Sequence, residues 1–235
     1  LDAGANVDCK TNQLFQFGIM GHVFAEYILE KENPSVGLLS IGEEDGKGNE
    51  IVKETFQMLK NSHINFIGNL EGKEVYQGNA DVIVCDGFTG NVALKISESL
   101  AEMIGSNLKL MFQSNWLSKL GYLLLKPKLV EFKKKVDHSE TGGAPLLGVN
   151  GVVIIAHGSS SPKAIKNAIN RAQELSEKNI IEHIKQDIEL NLSDIENSKG
   201  TLWGQIKDIA FGGKEGQQNR EDIHSSTDPK PKETR

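Results

Sequence analysis

VGLLSIGEEDGKGNE (residues 36–50), VIVCDGFTGN (82–91) and GVVIIAHGSSSP (151–162) each run a short set of branched apolar residues into a glycine-rich polar break. Buried parallel strands read this way, because both faces are covered and each strand hands the chain to a loop at its carboxyl end. In an open α/β sheet that end is where ligands bind. The three breaks are therefore the places to look for chemistry.

Outside these runs the pattern switches to helical spacing. Over 12–31, Leu14, Phe17, Met20, Phe24, Tyr27 and Ile28 recur at helical intervals, with Gly18 and Gly21 suited to a close approach by packing neighbours. Ile51, Val52, Thr55, Phe56 and Leu59 mark a second helix, Ile64 to Ile67 a short strand, and Asp81 to Cys85 another. From Asn91 a long helix carries Val92, Ile96, Leu100, Ile104 and Leu108 as a continuous apolar stripe. A strand over 152–156 and a helix opened by Pro162 complete the alternation. Such alternation predicts an α/β fold, a three-layer Rossmann-like parallel or mixed sheet with helices on both faces, in one domain over 1–190. LDAGANVDCK (1–10) reads as the end of a strand entering a loop, so the sheet is expected to be incomplete at its N-terminus. GTLWGQIKDIAF (200–211) has room for one short amphipathic helix. The tail over 191–235 is otherwise too poor in apolar residues to offset the entropy of ordering it, and is expected to be mostly disordered.

Composition narrows the function classes. The 235 residues are 38% hydrophobic and 25% charged, with a net charge of −6, enough for a real core and the wrong sign for a general nucleic-acid binder. Cys9 and Cys85 stand far apart, with no second pair to build a disulfide framework or zinc site, so a reduced cytoplasmic setting is expected. No apolar run reaches the roughly 18 residues a membrane span needs, and no signal peptide is recognisable. A nucleophile elbow and a His-Glu-x-x-His metal helix are both missing, and no metal or cofactor is expected.

The first break, Gly42 to Asn49, fails the spacing of both common nucleotide fingerprints. What remains is a glycine loop with one cation, Lys47, and carboxylates Glu43 and Glu44 ahead of a helix. It can hold phosphate through backbone amides, or be a plain turn with solvated charges. In CDGFTGN, Gly87 and Gly90 allow close ligand approach, and Thr89 or Asn91 can cap a helix whose free amides would face an oxyanion. Asp86 at the strand tip either orients a substrate and accepts a proton or merely shapes the turn. Cys85, ending an apolar run, reads as inert core. In ETGGAPLLGVNG (140–151), Gly142, Gly143 and Pro145 set a turn, and Asn150 delivers the chain into the next strand. AHGSSSP places His157, Gly158, Ser159 and Ser160 before Pro162, where hydroxyls and helix amides suit a phosphate; His157 is an acid, a base or a structural histidine.

Residues 108–136, LKLMFQSNWLSKLGYLLLKPKLVEFKKKV, interleave apolar and aromatic residues with seven lysines, and Gly121 and Pro127 read as breaks. The pattern fits a helical hairpin on an anionic membrane surface, with Trp116, Leu117, Leu120, Tyr122 and Leu124 as contacts, or a helix pair packed into a dimer or domain core.

With these blocks assembled in order, LDAGANVDCK, IGEEDGKGNE, VCDGFTGNVALK, GGAPLLGVNG and HGSS, the chain resembles the PlsX family of phosphate acyltransferases from Leu1 to about residue 190. The resemblance implies transfer of a fatty acyl group from acyl carrier protein to inorganic phosphate. The acyl phosphate so formed feeds a membrane glycerol-3-phosphate acyltransferase in phospholipid synthesis. It also implies a homodimer peripherally associated with the membrane, and a fold similar to phosphotransacetylases and isocitrate dehydrogenases. Family members carry a further N-terminal part with an Asp-Ala-Met-Gly-Gly-Asp block that does not occur here. On this reading Asp86, Asn91 and His157 are the catalytic candidates. Gly87 to Asn91, Gly158 to Ser160 and Lys47 hold phosphate and oxyanion, Asn6, Asp8 and Lys10 close the pocket, and Gly42, Glu43, Gly142, Gly143 and Asn150 complete the substrate-binding candidates. Two other readings stand beside it: a nicotinamide-dependent dehydrogenase of the isocitrate type, and a non-catalytic chain that only dimerises or rests on membrane.

Overall fold

The structure is a computed structural model that describes residues 1–136 and 142–197. Contacts divide the chain into Leu1–Asn191 and Leu192–Arg235. Of the second unit only 192–197 are described, as the end of the last helix, so the expectations for GTLWGQIKDIAF and for the rest of the tail lie outside the described residues.

The first unit is α/β. Helix α1 (Thr11–Tyr27) leads into β1 (Val36–Leu39), α2 (Glu50–Lys60), β2 (Phe66–Leu70), a short 3-10 turn (Gly72–Glu74) and β3 (Val82–Val84). The three strands form one parallel sheet in the order β2-β1-β3, so β1 is central and the chain crosses it between β2 and β3. Leu38 pairs with Asn69 on one side and Val84 on the other, which sets the carboxyl ends of all three strands along one edge.

Glycine decides how closely α1 packs. A Cβ on Gly18 would lie 2.6 Å from Leu59 of α2, and one on Gly21 2.5 Å from Val82 of β3, so both permit the approach that their spacing suggested. The deepest α1 side chains are Phe15, Ile19 and Val23, joined by Val36, Leu38, Leu59 and Val84. Of the expected stripe, Leu14, Met20 and Ile28 are buried as well, while Phe17 and Phe24 are half-buried and Tyr27 is exposed, so the deepest positions lie one residue to the side. The shift has a cause: α1 is covered on two sides, by the sheet and α2, and by the later segment in which Gly148 meets Met20.

At the amino edge, Asp81 holds β1 and β3 together. It accepts from the Ser35 amide (2.9 Å) and hydroxyl (2.8 Å) and pairs with Lys31 at 3.0 Å. The Ser35 amide first, then Lys31, hold its carboxyl down at about 2.

Two expectations are corrected. The run over 152–156 is not a buried parallel strand: β5 (Ile154–Ile155) pairs antiparallel with β4 (Ala144–Pro145) in a separate two-stranded sheet, and Ile155 is exposed. Only eight residues join β4 to β5, and so short a link brings neighbouring strands together antiparallel. Gly121 and Pro127 are not breaks either. Both lie inside α4 (Trp116–Val136), while the reversal falls at Ser114 and Asn115, where the Asn115 side chain accepts from the Ser118 amide at 2.9 Å. A helix exposed on most sides tolerates the carbonyl that Pro127 leaves unpaired, because water satisfies it.

Helix α3 (Gly87–Gln113) therefore runs straight into the hairpin, with Phe112 against Tyr122 at 5.4 Å between ring centroids. Its stripe at Val92, Ile96, Leu100 and Ile104 is present but largely exposed, not buried within this chain. No described helix is long and apolar enough to cross a membrane. Helices α5 (Pro162–Glu177) and α6 (Ile180–Asn197) follow. Lys178 between them donates to the Tyr27 carbonyl (2.8 Å) and Glu30 (3.0 Å), His183 stacks on Tyr27, and the His63 amide donates to the Asn191 side chain.

Candidate active site

The carboxyl edge of the parallel sheet brings two of the three glycine breaks side by side, because β1 and β3 are neighbours in register. The loop over 41–49 leaves β1, and CDGFTGN leaves β3. The third break, at His157, follows β5 and so belongs to the other sheet.

Above β3, the N-terminal segment folds onto the start of α3. The Leu1 ammonium donates to the Ile83 carbonyl and the Cys85 amide to the Leu1 carbonyl at 3.1 Å, so Leu1 lies beside β3 in the manner of a strand end. Asp2 then organises the turn, accepting from the amides of Gly4 (2.9 Å), Ala5 (2.7 Å) and Asn6 (2.9 Å) and from the Asn6 side chain (3.0 Å). Burial raises its carboxyl, but these donors outweigh burial and hold it below the usual range. Sequence reasoning passed over Asp2, although an Asp two residues before a Gly is the signature of a side chain closing its own turn.

Gly87 and Gly90 let that turn settle on the helix. A Cβ on Gly87 would lie 2.6 Å from the Asn6 carbonyl oxygen, and one on Gly90 1.9 Å from the Asp2 carbonyl oxygen. A Cβ on Gly4 would lie 3.5 Å from Asn91 Cγ. Thus Asn6, Asp86, Gly87, Gly90 and Asn91 are gathered at one point. Two amides expected to be free are already engaged: Gly87 donates to the Asn6 carbonyl at 2.8 Å, and Thr89 donates to Asp86 Oδ1 at 2.6 Å. Asp86 is the N-cap, which moves the helix start four residues ahead of Asn91. Burial pushes both thiols up, Cys85 and Cys9, and Cys85 Sγ sits 3.5 Å from the carbonyls of Leu1 and Asp2. Neither is an activated nucleophile. Asp8 and Lys10 are exposed on the same segment, with Lys10 at the start of α1, where its amide donates to the Gln13 side chain at 2.8 Å.

The loop after β1 is tied down by its neighbours. Lys73 bridges Glu43 and Glu71 at 3.0 Å each, and Lys60 pairs with Asp45 at 2.9 Å. Two of the loop's three carboxylates are thus matched by cations from outside it, while Lys47 stands 4.0 Å from Glu44. Gly42 lies close against Glu44 and Lys47. Beneath the loop, Asn69 donates to the Glu44 carbonyl at 2.9 Å, and the Asn69 Oδ1 and Ser40 Oγ atoms are buried without a partner. An unpaired buried group of this kind costs about 1–3 kcal/mol.

At the third break, His157 Nδ1 lies 2.7 Å from Ser159 Oγ, the Ser160 amide donates to the His157 carbonyl, and Ser161 caps α5 by accepting from the Ala164 amide. The first turn of α5 is therefore satisfied by Ser161. Gly158 faces open space. Gly142 (φ +85°) packs against the backbone of Asn167 and Ala168, and Gly143 against Ile155, so both shape the β4 turn. Asn150 lies on the wall of an apolar cleft of about 180 Å³ lined by Met20, Leu146, Val153, Leu175 and Ile184.

A family profile described as fatty acid synthesis protein matches residues 1–183. The chain belongs to this family. Among curated relatives, a protein named phosphate acyltransferase from Citrifermentans bemidjiense is 54% identical over 180 residues, 77% of this chain and 51% of the relative. Its namesake in Alkaliphilus oremlandii is 54% identical over 188 residues, 80% of this chain and 56% of the relative. A third, from Thermoanaerobacterium thermosaccharolyticum, is 51% identical over 199 residues, 85% of this chain and 60% of the relative. The chain spans about half the length of the curated relatives it matches.

Proposed function

We propose that the chain carries part of the active site of an acyltransferase that moves a fatty acyl group from acyl carrier protein to inorganic phosphate. The observation that carries this reading is the identity of 51–54% with proteins named phosphate acyltransferase, together with a family match over 1–183 that includes all three glycine breaks. The fold supports it: two breaks share the carboxyl edge of a parallel sheet, where ligands of open α/β sheets bind. We read that sheet as part of a three-layer Rossmann-like fold.

In the proposed reaction a phosphate oxygen attacks the thioester carbonyl carbon, a C–O bond forms, and a tetrahedral oxyanion develops. Collapse breaks the C–S bond, the carrier thiolate leaves and takes up a proton, and acyl phosphate is released. Holding two reactants in line removes much of the entropic barrier, and amide donors aimed at the oxyanion supply the electrostatic part. Lys47 with Gly42 and Glu43 would hold phosphate from the β1 loop. Asn91, beside Gly4 and Gly90, would donate to the oxyanion, with Asn6, Asp8 and Lys10 closing the pocket. Asp86 keeps one carboxylate oxygen beyond its capping bond, and His157 keeps Nε2, for proton transfer. Gly158, Ser159 and Ser160 would contact phosphate, and Gly142, Gly143 and Asn150 would set the adjoining turn.

The exposed hairpin fits a homodimer and a peripheral membrane site, with Trp116, Leu117, Leu120, Tyr122 and Leu124 as contacts, all well exposed here. Its product would pass to a membrane glycerol-3-phosphate acyltransferase.

The test is acyl phosphate formation from acyl carrier protein thioester and inorganic phosphate, trapped with hydroxylamine, for this chain and a full-length relative. Asn91→Ala and His157→Ala, made separately in the relative, are each expected to lower kcat by about 100-fold or more. Near-normal rates in both remove them from the mechanism, and an inactive wild-type relative removes the reaction.

A further inference from the structure

Asn69 is the one residue of β2 that reaches up into the β1 loop while remaining 5% exposed. Its side-chain amide donates to the Glu44 carbonyl at 2.9 Å, and the same carbonyl accepts the Lys47 amide at 3.0 Å. One buried donor on the sheet and the amide of the loop's lysine thus meet at a single oxygen. The orientation of the Asn69 amide follows from this contact: turned the other way, its oxygen would face the Glu44 carbonyl. Its Oδ1 is left unpaired, as is Ser40 Oγ at the end of β1. An isosteric leucine would avoid that unpaired oxygen, so fold stability alone does not account for an asparagine at this position. The other ties to the loop, Lys73 with Glu43 and Lys60 with Asp45, are exposed ion pairs that salt screens and that hold no backbone atom.

We propose that Asn69 is a positioning residue for phosphate, fixing from beneath the Glu44 carbonyl that already holds the Lys47 amide, so that the Lys47 ammonium is presented to an anion at the carboxyl edge of the sheet. The proposal rests on the reading of the 41–49 loop as the phosphate loop. It adds a residue outside that loop, on β2. Asn69 touches no substrate; it acts through Glu44 and Lys47.

The test measures amide hydrogen exchange over 42–48 as inorganic phosphate is titrated, in the wild-type chain and in Asn69→Leu, together with thermal melting. In the wild-type chain, phosphate is expected to slow exchange in the loop. In Asn69→Leu, melting is expected to be unchanged or raised, while the phosphate concentration giving half-protection rises about tenfold, the loss of one ordered contact. Should Asn69→Leu fail to fold, Asn69→Ser, whose hydroxyl is too short to reach Glu44, takes its place with the same expectation for phosphate and a lower melting temperature from the cavity it leaves. An unchanged half-protection concentration in the folded variant overturns the proposal, and so does a wild-type loop that phosphate does not protect. If phosphate protects the loop and Asn69→Leu weakens that protection, but the full-length relative forms no acyl phosphate, the positioning role stands and the acyl transfer reading fails.

Discussion

Gly90→Ala tests the claim that the N-terminal turn is seated directly on α3. The new Cβ would lie 1.9 Å from the Asp2 carbonyl oxygen and 3.0 Å from Cys85 Sγ. A backbone oxygen has no rotamer to escape through, so the turn must retreat by about 1 Å or more to reach an ordinary contact. That movement strains the bond from the Gly87 amide to the Asn6 carbonyl, about 1 kcal/mol, and adds an overpacking cost of about 1–3 kcal/mol. Against this stands the helix preference of Ala over Gly, about 1 kcal/mol. The clash wins, with a net loss of about 1–3 kcal/mol, or a fall in Tm of roughly 2–10 °C for a chain of this size. Gly105→Ala is the control in the same helix, because no atom lies within 4 Å of its new Cβ. It is expected to gain about 0.5–1 kcal/mol and raise Tm by roughly 2–4 °C. Thermal and urea melts by circular dichroism read both. If Gly90→Ala melts at or above wild type, the turn does not rest on the helix, and the gathering of Asn6, Gly87 and Asn91 goes with it.

Gly21→Ala should destabilise by about 1–2 kcal/mol, since its Cβ would sit 2.5 Å from Val82 Cγ1; Val82→Ala in the same chain should recover part of that loss, and strict additivity in the double-mutant melts would refute the contact. Asp81 has a folded pKa of about 2, below its unfolded value, so its contribution is present above about pH 4 and is lost as pH falls toward 2. Asp81→Asn should therefore show a shallower drop in urea stability across that window than wild type, and identical slopes would end the argument. Replacing Trp116 and Leu120 by Asp should abolish flotation of the chain with anionic vesicles; wild-type failure to float would return the hairpin to a protein interface.

How much of this was legible in the sequence varies with the range of the interaction involved. Strands β1 and β3, the helices from Thr11, Glu50 and Pro162, and the glycine contacts of α1 follow from local pattern, because apolar periodicity and caps act over a few residues. The start of α3 shifted because Asp86 rather than Thr89 or Asn91 supplies the cap, a choice between neighbours that composition alone leaves open. Asp2 did carry a local signature, an Asp two residues before Gly4; Asn69 carries none, because it acts through the Glu44 carbonyl, a backbone atom outside the side-chain code.

The order of residues determined that this chain would build alternating strands and helices, that glycine would punctuate the ends of β1 and β3, and that 108–136 would interleave apolar residues with lysine. Tertiary structure alone decided which breaks share an edge. Gly42 and Gly87 do, because β1 and β3 pair in register; His157 does not follow a strand of that sheet, because the eight residues before β5 fold it back on β4. It also decided that the stripe of α3 would face outward, since nothing in a periodic pattern specifies whether a sheet, a second helix or another surface will cover it.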